Sequence, residues 1–314
     1  MTLQVLVIVG PTASGKTRLG VEAAHRLGSE IISADSRQVY RGLDIGTGKD
    51  LEEYARVDPP VPYHLIDVAE PEEIYTLFRY QSDCYRVLAD LAGRPPFAGG
   101  GAPAVMVGGS GLYVEAVVRH YRLADVPVDS DLRANLEETP LPALIERLQR
   151  EAPAIAAETD LSNARRVIRG LEIADFSKVS QVPFSAPLDV PVSFTVFGVD
   201  AERGELRRRI RRRLRERIDE GMIDEVRGLL DSGVGRPRLV ELGLEYREVA
   251  AYLAGEKTRD GMISDLESAI VHFAKRQQTW FRGMERRGVP IRWIAADDVE
   301  AVVDAAVSSP PAVG

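Results

Sequence analysis

The sequence predicts an α/β fold in which a parallel sheet is flanked by helices and interrupted by a helical insertion. Three observations carry this. The first third of the chain alternates apolar runs with helical patterns, in the order VLVIV, a helix over 16–27, EIISA, an irregular segment, HLIDV, a helix over 75–93 and PAVMV. Parallel strands need that rhythm, because each must return through a covering helix. The stretch Gly10-Pro11-Thr12-Ala13-Ser14-Gly15-Lys16-Thr17 fits G-x-x-x-x-G-K-[ST] and stands between a strand and a helix, which makes the core P-loop NTPase-like. Residues 122–191 then change character, being rich in Glu, Arg and Ala at helical spacing, with no convincing strand until VSFTVFGVD.

Taken in order, LQVLVIV reads as a buried strand, too short to span a membrane and without a charged leader before it. The insertion contains three helical stretches, DLRANLEE, LPALIERLQREAP and NARRVIRGLEIADFS. VSFTVFGV rejoins the sheet, the chain is helical again to about residue 286, and IRWIAA adds a last strand. The expected organisation is a catalytic core formed by 1–121 and 192–308, a helical insertion over 122–191, and a flexible tail over 309–314, where Ser, Pro and Gly replace the apolar pattern.

Composition narrows the class. The 45% hydrophobic and 28% charged content suits a globular chain, and 314 residues suffice for two domains or one with a large insertion. A net charge of -8 argues against a surface that is basic all round, although nucleic-acid binding needs only a local patch. The single cysteine, Cys84, excludes an intrachain disulfide, and the four histidines are scattered without zinc-ligand spacing. A cytoplasmic protein without a membrane segment is expected.

The cradle at residues 10–17 suits a phosphate group. Its glycines let backbone N–H groups turn inward, the helix N-terminus adds partial positive charge, Lys16 reaches the outer phosphate, and the Thr17 hydroxyl suits Mg²⁺. Asp35 follows the second strand, at the sheet edge where ligands bind; it either contacts a ligand or caps the following turn. The stretch GLDIGTGK reads as an ordered surface loop. In VGGSGLYVEAV, Ser110 either caps the next helix or offers its hydroxyl to a ligand.

Two later segments are strongly basic. RGELRRRIRRRLRER, residues 203–217, carries nine arginines against two glutamates in an acidic chain. Leu206, Ile210, Leu214 and Ile218 form an apolar seam along it, flanked by Arg209, Arg213 and Arg217, so the guanidiniums face either a cleft or water. Farther on, Leu266, Ile270, Phe273, Phe281 and Met284 form a helical stripe that Gln277 breaks; Trp280 and Phe281 read as core, and Lys275, Arg276 and Arg282 as phosphate contacts.

Together, GPTASGKT, ADSRQVYRGLDIGT, YHLIDV, GGSGLY, NARRVIRGLEI, the RRRIRRRL helix and AKRQQTWFR resemble the tRNA dimethylallyltransferase family over about residues 4–295. The resemblance implies transfer of a dimethylallyl group from its diphosphate to N6 of the adenosine beside the tRNA anticodon, with Mg²⁺, by a monomer. It implies that Gly10 and the run Thr12, Ala13, Ser14, Gly15, Lys16 and Thr17 bind the diphosphate, with Thr17 near the metal and Arg213 as a second clamp. Asp35 would accept the N6 proton, and Asp35, Ser36, Arg37, Gln38 and Ser110 would touch the acceptor nucleotide. In the insertion, Arg133, Arg165, Arg166, Val167, Ile168 and Arg169 match tRNA-contacting positions for the anticodon stem-loop.

Two stretches depart from the family pattern. DIGTGKD stands for the usual DIGTAKP, and GLEYREV for an IGYRE-like stretch. The competing activities are prenylation of free AMP by an adenylate isopentenyltransferase, phosphorylation of a small metabolite by a P-loop kinase, and RNA binding without catalysis.

Overall fold

The computed structural model describes residues 2–98 and 101–308. The chain separates into two compact units, Met1–Tyr121 with Leu188–Gly314, and Arg122–Pro187. The expected flexible tail, 309–314, lies outside the described residues.

The first unit opens with β1 (Leu3–Val9), whose residues are almost all buried, as a strand covered on both faces requires. There follow α1 (Lys16–Leu27), β2 (Ile31–Ser33), the short α2 (Leu51–Ala55) and β3 (Tyr63–His64). Then come α3 (Leu77–Gly93), β4 (Ala104–Gly108) and α4 (Gly111–Val118). The strand expected over HLIDV ends at His64, because Leu65 and Asp67 adopt positive φ of 62° and 55° and turn the chain off the sheet. Thr76 caps α3, its hydroxyl accepting the Arg79 N–H, so that helix starts at Leu77.

The second unit holds α5 (Ser130–Glu137), α6 (Leu141–Glu151), α7 (Pro153–Glu158) and α8 (Ala164–Ser177) around its own core of Leu136, Leu144, Leu148, Val167, Ile168 and Leu171. Asp129 and Asn163 cap α5 and α8.

Back in the first unit, β5 (Val192–Val199) is followed by α9 (Arg203–Asp219), α10 (Met222–Asp231), α11 (Arg236–Leu242), α12 (Leu244–Leu253), the long α13 (Arg259–Arg286), β6 (Ile291–Ile294) and α14 (Val299–Ser308). The six strands pair in the order β3-β2-β4-β1-β5-β6, all parallel. One face packs on α1 and α14, the other on α3, α4 and the helices from α9 to α13. The expected seam on α9 is real, with Leu206, Ile210, Leu214 and Ile218 all buried. Because all strands run the same way, the loops after β1, β2 and β4 meet at one edge. The described residues contain no helix long and apolar enough to cross a membrane.

Candidate active site

A narrow pocket opens at that edge, lined among others by Thr12, Lys16, Thr17, Asp35, Arg37, Gln38, Asp50, Arg213 and Arg217. The cradle forms its floor. Ala13 and Gly15 take positive φ of 62° and 96° on either side of Ser14, which turns successive backbone N–H groups toward one point. Gly15 precedes the first residue of α1 in the left-handed region, where a side chain would be strained and its Cβ would lie 3.3 Å from that of Ala296. Ser14 is buried, and its hydroxyl has no partner among the described residues.

Gln277 explains the break in the α13 stripe. It is buried, its side-chain carbonyl accepts the Thr12 N–H at 2.9 Å, and its amide donates to the Gly109 carbonyl at 2.9 Å. Phe273 leaves the stripe's core role: it lines the pocket, with the Arg37 guanidinium over its ring at 5.0 Å. Phe281 is core, while Trp280 is only partly buried.

The pocket is cationic. Lys16, Arg37, Arg213 and Arg217 face two carboxylates, Asp35 and Asp50. Enclosure pushes the Lys16 ammonium down to about 8; Asp35 opposes that shift and Arg213 adds to it. Burial, then the adjacent Arg213, also lowers Arg217. Arg37 is paired with Glu245 and Arg213 with Asp50, so Lys16 and Arg217 carry the positive charge that a polyanion would neutralise.

Asp35 closes a turn at the rim of the pocket. Its Oδ1 accepts the Arg37 N–H at 3.0 Å. Ser110 does not cap α4. Its hydroxyl accepts the Ser36 N–H at 2.9 Å and donates to the Ser36 hydroxyl at 3.1 Å, tying the loop after β4 to the loop after β2.

The GLDIGTGK stretch is no surface loop, since Leu43, Thr47 and Lys49 are buried. The Lys49 ammonium donates to the Tyr40 carbonyl at 2.8 Å, to Asp44 at 2.6 Å and to Asp67. The Glu225 carboxylate accepts the N–H groups of Asp44, Ile45 and Gly46 at 2.9, 2.6 and 3.0 Å, and the Tyr246 hydroxyl at 2.8 Å. GLEYREV therefore has a structural place: Tyr246 buttresses the loop through Glu225, and buried Glu245 pairs with Arg37 at 2.7 Å. Gly48, at φ 61°, lies flat under the Arg217 guanidinium, where any Cβ would collide.

In the second unit, Arg133 makes a two-pronged pair with buried Glu172 at 2.7 and 2.8 Å. Arg169 binds the same carboxylate at 3.0 Å and the Val126 carbonyl at 2.7 Å. Arg165 and Arg166 are exposed, the latter paired with Asp160 at 3.3 Å. The Val167 and Ile168 side chains turn into the unit's core, which corrects any reading of them as side-chain contacts to a ligand.

Residues 38–284 match the family described as IPP transferase, and residues 3–57 match the one described as isopentenyl transferase. The chain belongs to the IPP transferase family. Its similarity to curated proteins of this kind runs nearly end to end. A tRNA dimethylallyltransferase 2 of Syntrophotalea carbinolica is 48% identical over 96% of this chain and 98% of its own, and a tRNA dimethylallyltransferase 1 of Porphyromonas gingivalis is 46% identical over 93% of each. Among solved structures, the full-length tRNA isopentenylpyrophosphate transferase of Bacillus halodurans superposes with a TM-score of 0.67 at 34% identity, covering 97% of this chain and 94% of that one.

Proposed function

We propose that the protein transfers a dimethylallyl group from dimethylallyl diphosphate to N6 of the adenosine beside the tRNA anticodon, releasing pyrophosphate. The observation that carries this is one pocket lined together by the phosphate cradle, Arg213 and Asp35. The acceptor amine is a weak nucleophile, because its lone pair is delocalised into adenine. The barrier is therefore lowered mainly at the leaving group. Lys16, Arg213, Arg217 and the cradle N–H groups are aimed where charge develops as the allylic carbon–oxygen bond breaks. Asp35, held by its turn, orients the amine and accepts its proton. Val107, Tyr54 and Phe273 supply apolar wall for the five-carbon chain, and burial pushes the Tyr54 phenol up so that it stays neutral.

The residues fit Mg²⁺ bound with the donor. Thr17 and the Asp35 carboxylate offer hard oxygen atoms in one pocket, and no group of three or more His, Cys, Asp or Glu among the described residues could hold a metal alone. A metal retained mostly by phosphate oxygens and water suits that set. When bound, it neutralises charge on the departing pyrophosphate.

Adenosine N6 is reached only if the base leaves the stack of the anticodon loop. Exposed Arg165 and Arg166 supply phosphate contacts to the stem-loop. The protein works as a cytoplasmic monomer. The test incubates it with dimethylallyl diphosphate, Mg²⁺ and either total tRNA, AMP or ATP with candidate metabolites, followed by mass analysis of nucleosides. Prenylated adenosine in tRNA alone supports the proposal; prenylated AMP or ATP turnover without RNA overturns it.

A further inference from the structure

Asp50 has no part in the reaction as described, yet its carboxylate accepts from the Arg213 guanidinium inside the pocket. It stands at the N-terminus of α2, where an aspartate ordinarily caps the helix. Here its backbone is left-handed, at φ 48° and ψ 45°, and its side chain caps nothing. The carboxylate is committed to the arginine instead.

The backbone around Asp50 is held in place. Neighbouring Lys49 is locked by three oxygen partners, the Gly48 carbonyl accepts the Gln38 amide at 3.1 Å, and Arg217 lies against Gly48. What can move is the ion pair, whose two side chains are each about a third exposed, at 30% and 33%. Either side chain can turn to water while the loop stays put.

Resting on the diphosphate reading above, we propose that Asp50 is a placeholder for the donor's diphosphate and a determinant of donor affinity. It occupies Arg213 while the pocket is empty, and donor phosphate oxygens take its place on the guanidinium when the donor enters. The exchange is non-covalent. Its cost falls hardest on weakly charged anions: a multiply charged diphosphate gains enough from Lys16, Arg213 and Arg217 together to displace an ionised carboxylate, whereas a singly charged anion does not. Asp50 lies in the DIGTGKD stretch, at the position where the family pattern quoted above has proline, so this device belongs to chains that carry an acid there.

The test is calorimetric binding of inorganic pyrophosphate, with and without Mg²⁺, to wild type, Asp50→Asn, Asp50→Glu, Arg213→Ala and the Asp50→Asn/Arg213→Ala double variant, with thermal unfolding of each. Freeing the Arg213 guanidinium from its competing carboxylate should tighten pyrophosphate binding about fivefold or more. Asp50→Glu should stay near wild type, and the gain should vanish in the Arg213→Ala background, because Asp50 acts through that arginine. In turnover, Asp50→Asn should lower KM for dimethylallyl diphosphate by the same factor without raising kcat. Unchanged or weaker pyrophosphate binding in Asp50→Asn overturns the proposal, and weakening seen only with Mg²⁺ would make Asp50 a metal ligand instead. If wild type binds no pyrophosphate at all, it is the diphosphate reading that fails.

Discussion

The Gln277 carboxamide bridges Thr12 and Gly109, accepting from one backbone and donating to the other, each at 2.9 Å. One side chain of α13 thereby sets the spacing between the loops after β1 and β4. Gln277→Leu fits the apolar stripe but leaves both backbone groups without that partner. The expected outcome is a cooperatively folded protein with a Tm lowered by a few degrees and kcat/KM for dimethylallyl diphosphate reduced about tenfold or more. Unfolding curves beside steady-state kinetics check it. Wild-type kinetics would show that the cradle holds its shape alone.

Lys16→Ala should lose most activity while tRNA affinity changes little, because Lys16 neutralises leaving-group charge and the RNA contacts lie mainly elsewhere. Rates and a tRNA titration on one preparation test that division. An equal loss of RNA affinity would refute it.

Lys16 also sets a pH dependence. Its folded value of about 8 lies below the ordinary 10.5, and a bound anion favours the charged form. Pyrophosphate affinity should therefore be full below about pH 8 and decline as pH rises through it. The stability sign is opposite: between about 8 and 10.5 the unfolded chain holds more protons at this site, so the contribution of Lys16 to stability rises with pH. Calorimetry at pH 7, 8 and 9 should show the affinity decline in wild type and its absence in Lys16→Met.

Asp35→Asn separates turn from catalysis. The carboxamide oxygen can still accept the Arg37 N–H, so the fold and pyrophosphate binding should persist. The chemical rate should fall on the order of 10²-fold or more, because the amide cannot accept the N6 proton. Single-turnover prenylation measured beside thermal unfolding decides the matter. Near-wild-type prenylation would leave Asp35 only its turn.

The arginines of the second unit should divide into two kinds. Removing charge at exposed Arg165 and Arg166 should flatten the salt dependence of tRNA binding by about one unit per lost phosphate contact, without changing unfolding. Arg169→Ala should instead lower the Tm, because it strips buried Glu172 of one of its two partners. Salt titrations and melts of the separate variants distinguish the kinds. A slope unchanged by the Arg165 and Arg166 variants would place the RNA elsewhere.

Local chemistry alone made much of this protein legible. The cradle, the strand-to-helix rhythm, the α9 seam and the basic stretches are short-range patterns, and period, spacing and glycine placement report them before any folding. Asp35 was visible because it directly follows an apolar strand. Even Gln277 left a trace as a polar residue in an apolar stripe, though its partners are 265 and 168 positions away. Long-range contacts decided the rest. Lys49 looks like a surface lysine until the loop folds inward and two aspartates and a carbonyl replace its water. Ser110 has the residue type of a helix cap, and only the approach of the Ser36 backbone diverts it. Asp50 stands at a helix start, and Arg213, 163 positions away, claims its carboxylate. The sequence determines which groups carry charge and which segments form helix or strand. Which charges meet depends on loops that become neighbours only once the sheet has brought its strand ends to one edge.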